Sequence, residues 1–292
     1  MERGSCPVFP LELLEIIIGF LEEDEDIESL KSWALTSRSL VHRSQSSIFK
    51  TVKLLPDPSR HDWYEQLLPI TSRFIELLES NPALALYIRT LYYCARRFDY
   101  YWPDIANALQ KLTGVKKLVL TSRMGTDEDA WMNWIWLDGS VRSALEDIIT
   151  SPSLVELHLS SVYNFPALLI GSIQNLQKLT LHHIEFTLNT QKNTKGLKIS
   201  SLCLSSLTID ADMEVGLHQL ADAEHTGVPI LDLAHLSALT IRNVGDMAPH
   251  IPVLQRMQNL GSLTVEGEVF GIYNNAHVKH IYSNSASSLS TV

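Results

Sequence analysis

One short pattern recurs seven times along this chain and limits what it can fold into. It runs apolar, two variable positions, leucine, one variable position, apolar. Its copies are Ile88-Arg89-Thr90-Leu91-Tyr92-Tyr93, then the segments beginning at Val115, Leu154, Leu176, Leu204, Leu236 and Leu260. The central residues are Leu91, Leu118, Leu157, Leu179, Leu207, Leu239 and Leu263, separated by steps of 27, 39, 22, 28, 32 and 24. The last two apolar positions of each copy lie two apart, so on a strand they face one side. The residues between them face the other side, and Thr180, Thr208, Thr240 and Thr264 take that place. A β-branched residue suits an exposed strand position. Helix-like pieces lie between the copies: Ile105–Leu112, Val141–Ile149, Leu168–Ile173, Leu217–Ala223 and Val253–Met257. One strand and one helix per unit predict a stacked, quasi-one-dimensional solenoid.

This pattern resembles the leucine-rich repeats, whose period is about 20–29 residues. The resemblance covers roughly 200 residues. It implies a parallel sheet on a concave side and helices on a convex side. The family usually places Asn or Cys three residues after the strand, but Val162, Ile184 and Val244 stand there. Irregular repeats are therefore expected. The long step holds an insertion, Thr126–Gly139, with Trp131, Trp134 and Trp136, read either as a binding loop, since Trp is favoured in hot spots, or, preferably, as rings covering the core beneath it. Thr187–Gly196 reads as a polar loop. Leu289-Ser290-Thr291-Val292 reads as the opening of a further, truncated repeat, so a bare strand edge is expected at the C-terminal end.

Ahead of the repeats, Phe9–Phe49 carries three apolar sets at helical spacing. Pro10 suits a first helical position, where its missing N–H costs nothing. Leu13, Leu14, Ile17, Phe20 and Leu21 form the first stripe. Ile27, Leu30, Ala34 and Leu35 form the second, and Leu40, Val41, Ile48 and Phe49 the third. The acidic run Glu22–Asp26 reads as a solvated turn between helices. Three short helices bury little surface alone, so their stripes want a partner. Phe9-Pro10, Leu13-Leu14, Ile17, Leu21, Leu30 and Leu35-Thr36-Ser37-Arg38 resemble the F-box. The Trp that the family has after the last element is absent here. The resemblance implies docking of the Skp adaptor of SCF ubiquitin ligases, and through it a cullin. Pro10, Leu13, Leu14, Ile17, Leu21, Leu30, Leu35 and Ile48 would carry it.

The expected fold class is thus α/β, with an F-box-like helical module at 8–50, a linker and connecting helix at 51–84, and the repeats at 85–292. The three cysteines, Cys6, Cys94 and Cys203, lack CxxC spacing or neighbouring His clusters in the chain, so no disulfide frame or metal site is expected. A net charge of −10 without a basic cluster speaks against nucleic acid as the main ligand. No run approaches the ~18 apolar residues of a membrane span, and the N-terminus lacks signal-peptide pattern. A cytoplasmic or nuclear protein is expected, with no membrane partner.

No Gly-rich phosphate loop, HExxH, GxSxG or kinase signature is present, so no catalytic residue and no cofactor is expected. The His182-His183 pair reads as surface. The resemblances together imply a non-catalytic substrate-recognition adaptor of an SCF-type ligase. An unknown substrate protein would lie on outward strand residues: Lys117, Glu156, His158, Lys178, His182, Asp210, Arg242 and Glu266. The alternative is a repeat scaffold for protein binding, with the N-terminal helices as a cap and no ligase link.

Overall fold

The structure, a computed structural model, describes residues 11–24, 26–36, 38–56, 63–95, 103–122, 132–187, 201–210, 214–222, 229–242, 254–268 and 277–283. Three helices open it: α1 (Leu11–Glu23), α2 (Ile27–Thr36) and α3 (Arg38–Ile48). They enclose a small core of Ile18, Leu30 and Leu40, against which Leu14, Leu21, Trp33 and Ile48 pack. Glu22 fastens α1 to the end of α3. It contacts the Lys50 ammonium, accepts from Ser47 Oγ at 3.0 Å and lies 3.5 Å from Arg43. The hydrogen bond from Lys50 holds its carboxyl below the usual range, against the opposing effect of burial. The first residue of the acidic run is therefore a tether rather than a solvated loop residue.

Among the described residues, ten strands form one sheet: β1 (Thr51–Leu54), β2 (Thr90–Cys94), β3 (Lys117–Thr121), β4 (Met132–Asn133), β5 (Glu156–Pro166), β6 (Lys178–Thr187), β7 (Ser206–Asp210), β8 (Ala238–Arg242), β9 (Ser262–Glu268) and β10 (His277–Ser283). The order is β1-β2-β3-β5-β6-β7-β8-β9-β10, with β4 beside β5. Neighbours run parallel except β9 and β10. The register aligns all seven central leucines, Leu91 through Leu263, in a single row. A second row, two residues on, holds Tyr93, Leu120, Leu159, Leu181, Ile209, Ile241 and Val265.

Helices α4 (Trp63–Ser80), α5 (Pro103–Gln110), α6 (Gly139–Thr150), α7 (Ala167–Gly171) and α8 (Glu214–Ala221) share the core of that leucine face. They contribute Phe74, Ile105, Leu109, Val141, Leu145, Ile149, Leu168, Leu217 and Leu220. Asp138 caps α6, its Oδ1 accepting from the N–H of Ser140 at 2.8 Å and of Val141 at 3.4 Å. Asp138→Ala should cost about 1 kcal/mol, read as a lowered thermal midpoint.

Consecutive units are tied by a repeated backbone device. The carbonyl of Gln177 accepts from the N–H of both Ser205 and Ser206, and that of Ser237 from both Gly261 and Ser262. Side chains reinforce it: Asn175 donates to Pro152 O, Ser237 to Ser205 O and Asn259 to Ala234 O, each at 2.7 Å. Where an Asn was looked for after the strand, the chain does something else. Ser161 and His183 take φ of 58° and 49° at equivalent points of β5 and β6, turning Val162 and Ile184 into the core. Apolar burial there replaces side-chain bonding. Val244 lies outside the described residues.

Three expectations need correction. The segment read as a linker and connecting helix at 51–84 begins with strand β1, paired to β2, because Val52 and Leu54 alternate with polar residues and reach the main core. The C-terminal edge of β9 is not bare: β10 pairs with it antiparallel from His277 to Ser283. Val278, Ile281 and Tyr282 give that segment strand character, and Leu289–Val292 lies outside the described residues. The tryptophans divide rather than acting alike. Trp134 is buried, edge-on to Phe165 with ring centres 4.9 Å apart, whereas Trp136 is exposed. Trp131 and the 188–200 stretch lie outside the described residues.

Candidate functional site

Two surfaces stand out, one on the helices and one on the sheet. On α1, the apolar residues spread around more than one face, since Ile16-Ile17-Ile18 are consecutive. A three-helix module can enclose only part of them. It takes Leu14, Ile18 and Leu21 and leaves Leu13, Ile16 and Phe20 in solvent at 46%, 54% and 61% exposure. Leu35, at the end of α2, is 89% exposed.

The partner-facing set read from the sequence is therefore only partly outward. Leu13 and Leu35 face solvent and Ile17 is half-buried. Leu14, Leu21, Leu30 and Ile48 instead hold the module together. Pro10 lies outside the described residues. Phe20 belongs to the first stripe read from the sequence, though not to the residues named for docking, and Ile16 was missed, because spacing alone does not say which of two apolar faces turns inward.

On the sheet, the face opposite the leucines carries three rows. The first holds Lys117, Glu156, Lys178 and Ser206 side by side. The second holds Val119, His158, Thr180, Thr208, Thr240 and Thr264. The third holds Ser160 next to His182, and Asp210, Arg242 and Glu266 in sequence. The period-two alternation of the strands puts every sequence-predicted outward residue on this face.

These side chains are linked rather than separate. Lys117 Nζ lies 2.5 Å from Glu156 Oε1. Arg242 Nε donates to Glu266 Oε2 at 3.0 Å, and its Nη1 meets His182 Nε2 at 3.1 Å. A guanidinium has only donors, so His182 Nε2 must accept. Its Nδ1 then carries the proton and donates to Asp210 Oδ1, 2.8 Å away. His183 Nε2 stands 3.7 Å from the other Asp210 oxygen.

Asp210 departs from expectation. It points outward but is buried, because His182, His183 and Arg242 close over it. Its carboxylate organises the row from beneath. His182, read as part of a surface pair, is likewise largely covered. The His158 and His182 rings lie 5.1 Å apart. Burial first, then the electrostatic effect of the neighbours His182, Lys117 and Arg242, push the His158 imidazole down to about 4.

The arrangement is a mixed-charge surface with an organised interior, suited to hydrogen-bonding a polar protein segment. The lone pair of His182 Nε2 is taken up by Arg242.

A third grouping was not legible in the chain order. Cys203, Asp232 and His235 bring donor atoms within 4.8 Å of one another. Cys203 is 29 and 32 positions from Asp232 and His235 in sequence, and only the stacking of adjacent units joins them.

Among the described residues, no helix is long and apolar enough to cross a membrane. Comparison with known proteins adds nothing to these surfaces: no protein-family model, no curated protein and no solved structure matches the chain.

Proposed function

We propose that this chain is a substrate-recognition adaptor of an SCF-type ubiquitin ligase, built as an F-box-like module followed by an irregular leucine-rich-repeat solenoid. The helical module docks the Skp adaptor and, through it, a cullin. The outward face of the sheet holds a substrate protein. The chain catalyses nothing itself in this reading; it raises the local concentration of substrate near the ubiquitin-loading machinery. It works in the cytoplasm or nucleus, without nucleic acid, membrane or cofactor.

The observation that carries the proposal is the solvent-facing stripe Leu13, Ile16 and Phe20, with Leu35, on a module whose own core is already satisfied. Contiguous exposed apolar side chains of this kind mark interaction surfaces, and the F-box resemblance says which partner to try.

The experiment is co-purification with the Skp adaptor. Ile16→Asp with Phe20→Asp should reduce capture at least about 30-fold, since a hot-spot side chain is worth ~2 kcal/mol. Both residues are exposed, so the thermal midpoint should hold. Undiminished capture by a folded double variant would sink the reading. Leu14→Asp is the wrong test, because Leu14 supports the internal core.

The alternative, a protein-binding scaffold whose helices only cap the repeats, draws support from the seam between the two cores. There His42 meets Tyr87 edge-on at 5.2 Å, and Lys50 O accepts from the N–H of Arg89 and Thr90. Failure of the wild-type chain to capture the Skp adaptor favours it.

A further inference from the structure

We propose that Cys203, Asp232 and His235 form a zinc site that staples two neighbouring units of the sheet on its loop side. The backbone sets it up. Leu202 and Leu231 form a parallel bridge between the segments leading to β7 and β8. Leu202 N–H donates to Ile230 O at 2.8 Å, and Asp232 N–H donates to Leu202 O at 2.9 Å. Leu202, Leu204, Leu231 and Leu233 are all buried, anchoring both segments in the core. Cys203 lies between two of these anchors and is turned out to solvent by alternation.

Asp232 and His235 are held for the same purpose. Asp232 caps the short 3-10 turn Leu233–His235, with Oδ1 accepting from Ala234 N–H at 3.0 Å. Its Oδ2 lies 2.8 Å from His235 Nδ1. The carboxylate is thus oriented by Oδ1, and its Oδ2 is hydrogen-bonded to His235 Nδ1, a contact that a shared zinc would replace.

The chemistry of the set selects the ion. A thiolate, an imidazole nitrogen and a carboxylate oxygen together suit zinc, which binds them at about 2.3, 2.0 and 2.0–2.2 Å. Donors on one tetrahedral zinc then sit about 3.3–3.6 Å apart. Donor atoms already within 4.8 Å reach that spacing by side-chain adjustment alone. Hard cations such as calcium and magnesium prefer oxygen ligands throughout and do not explain the cysteine. Three protein ligands leave the fourth position to water, and the exposure of Cys203 and His235 keeps that position open. Binding needs the thiolate and neutral imidazole, so it releases protons and weakens in acid.

The test uses the full chain kept reduced, with cobalt as a spectroscopic stand-in and zinc competing against a chromophoric chelator. One equivalent of cobalt should produce a thiolate-to-metal charge-transfer band in the near ultraviolet, and zinc should erase it. Cys203→Ser should abolish the band. His235→Asn and Asp232→Asn should each weaken zinc binding at least about 100-fold, since even groups behind the ligands are worth 10–100-fold. Circular dichroism of the metal-free variants should match the parent, because Cys203 and His235 are exposed and Asp232→Asn keeps an oxygen to cap the Leu233–His235 turn. Absence of a saturable band in the wild type overturns the site. So does a band that survives Cys203→Ser, which would place the metal on another cysteine.

Discussion

Leu207→Ala should lower the free energy of unfolding by about 2–5 kcal/mol, toward the upper end of that range for a leucine that cannot be replaced by local collapse. Leu207 is fully buried and stands in the middle of the leucine row, between Leu179 and Leu239. The cavity left by its truncation is walled by side chains from two other strands that are themselves pinned by the carbonyl ladder. Leu263, in the same row but 9% exposed and near its end, should cost less. Thr208→Ala, one residue from Leu207 but on the opposite face, should stay within about 0.5–1 kcal/mol. Urea denaturation of the three variants reads the differences directly. Equal losses at Leu207 and Thr208 would mean that the two faces of the sheet have been assigned wrongly.

That contrast is also where the sequence was most informative. Spacing two apart in every copy of the pattern distinguishes the inward row from its outward neighbours. It worked because one face of each strand is buried, and a slip of one residue would turn every leucine to solvent. Strand β1 escaped notice although Phe49, Val52 and Leu54 fit the apolar spacing, because Val52 stands where the other copies have leucine and Phe49 reads equally as part of the third helical stripe. β10 escaped because it pairs antiparallel, outside the repeat that the pattern describes.

The surfaces were less legible than the core, for a physical reason. Spacing reads as one apolar stripe on α1, whereas the helix is more apolar than one face requires, and only the packing of Leu30, Leu40 and Trp33 decides that Ile18 goes in and Ile16 stays out. Alternation places Asp210 on the face opposite the leucines, yet its burial depends on His182 and Arg242 from the adjacent strands. Alternation gives direction, not depth. Cys203 and His235 show the same limit more strongly, since their proximity exists only once two units are stacked in register.

Acid should destabilise this protein through one histidine in particular. His158 sits in the middle row with an imidazole pushed down to about 4 by burial, with its neighbours His182, Lys117 and Arg242 adding to the effect and Glu156 opposing it. Unfolded, the same ring titrates near 6.5. Between those values the unfolded chain binds the proton and the folded chain does not, so stability rises with pH across that window. It is fully present above about 6.5 and is lost progressively as pH falls toward 4. At about 1.4 kcal/mol per pH unit, the loss attributable to His158 by pH 5 is about 2 kcal/mol, somewhat less with the ring partly open to solvent. Carboxylates such as Glu22 also weaken the fold in acid, but at lower pH, where their depressed groups take up protons. His158→Gln separates the two, because it removes the imidazole and leaves the carboxylates in place. The difference in urea stability between pH 7 and pH 5 should shrink by about 2 kcal/mol in that variant. A pH dependence identical to the parent's would show that the ring is not held neutral by the row around it, and that the charged side chains of the outward face lie further from it than the 5.1 Å His158–His182 approach implies.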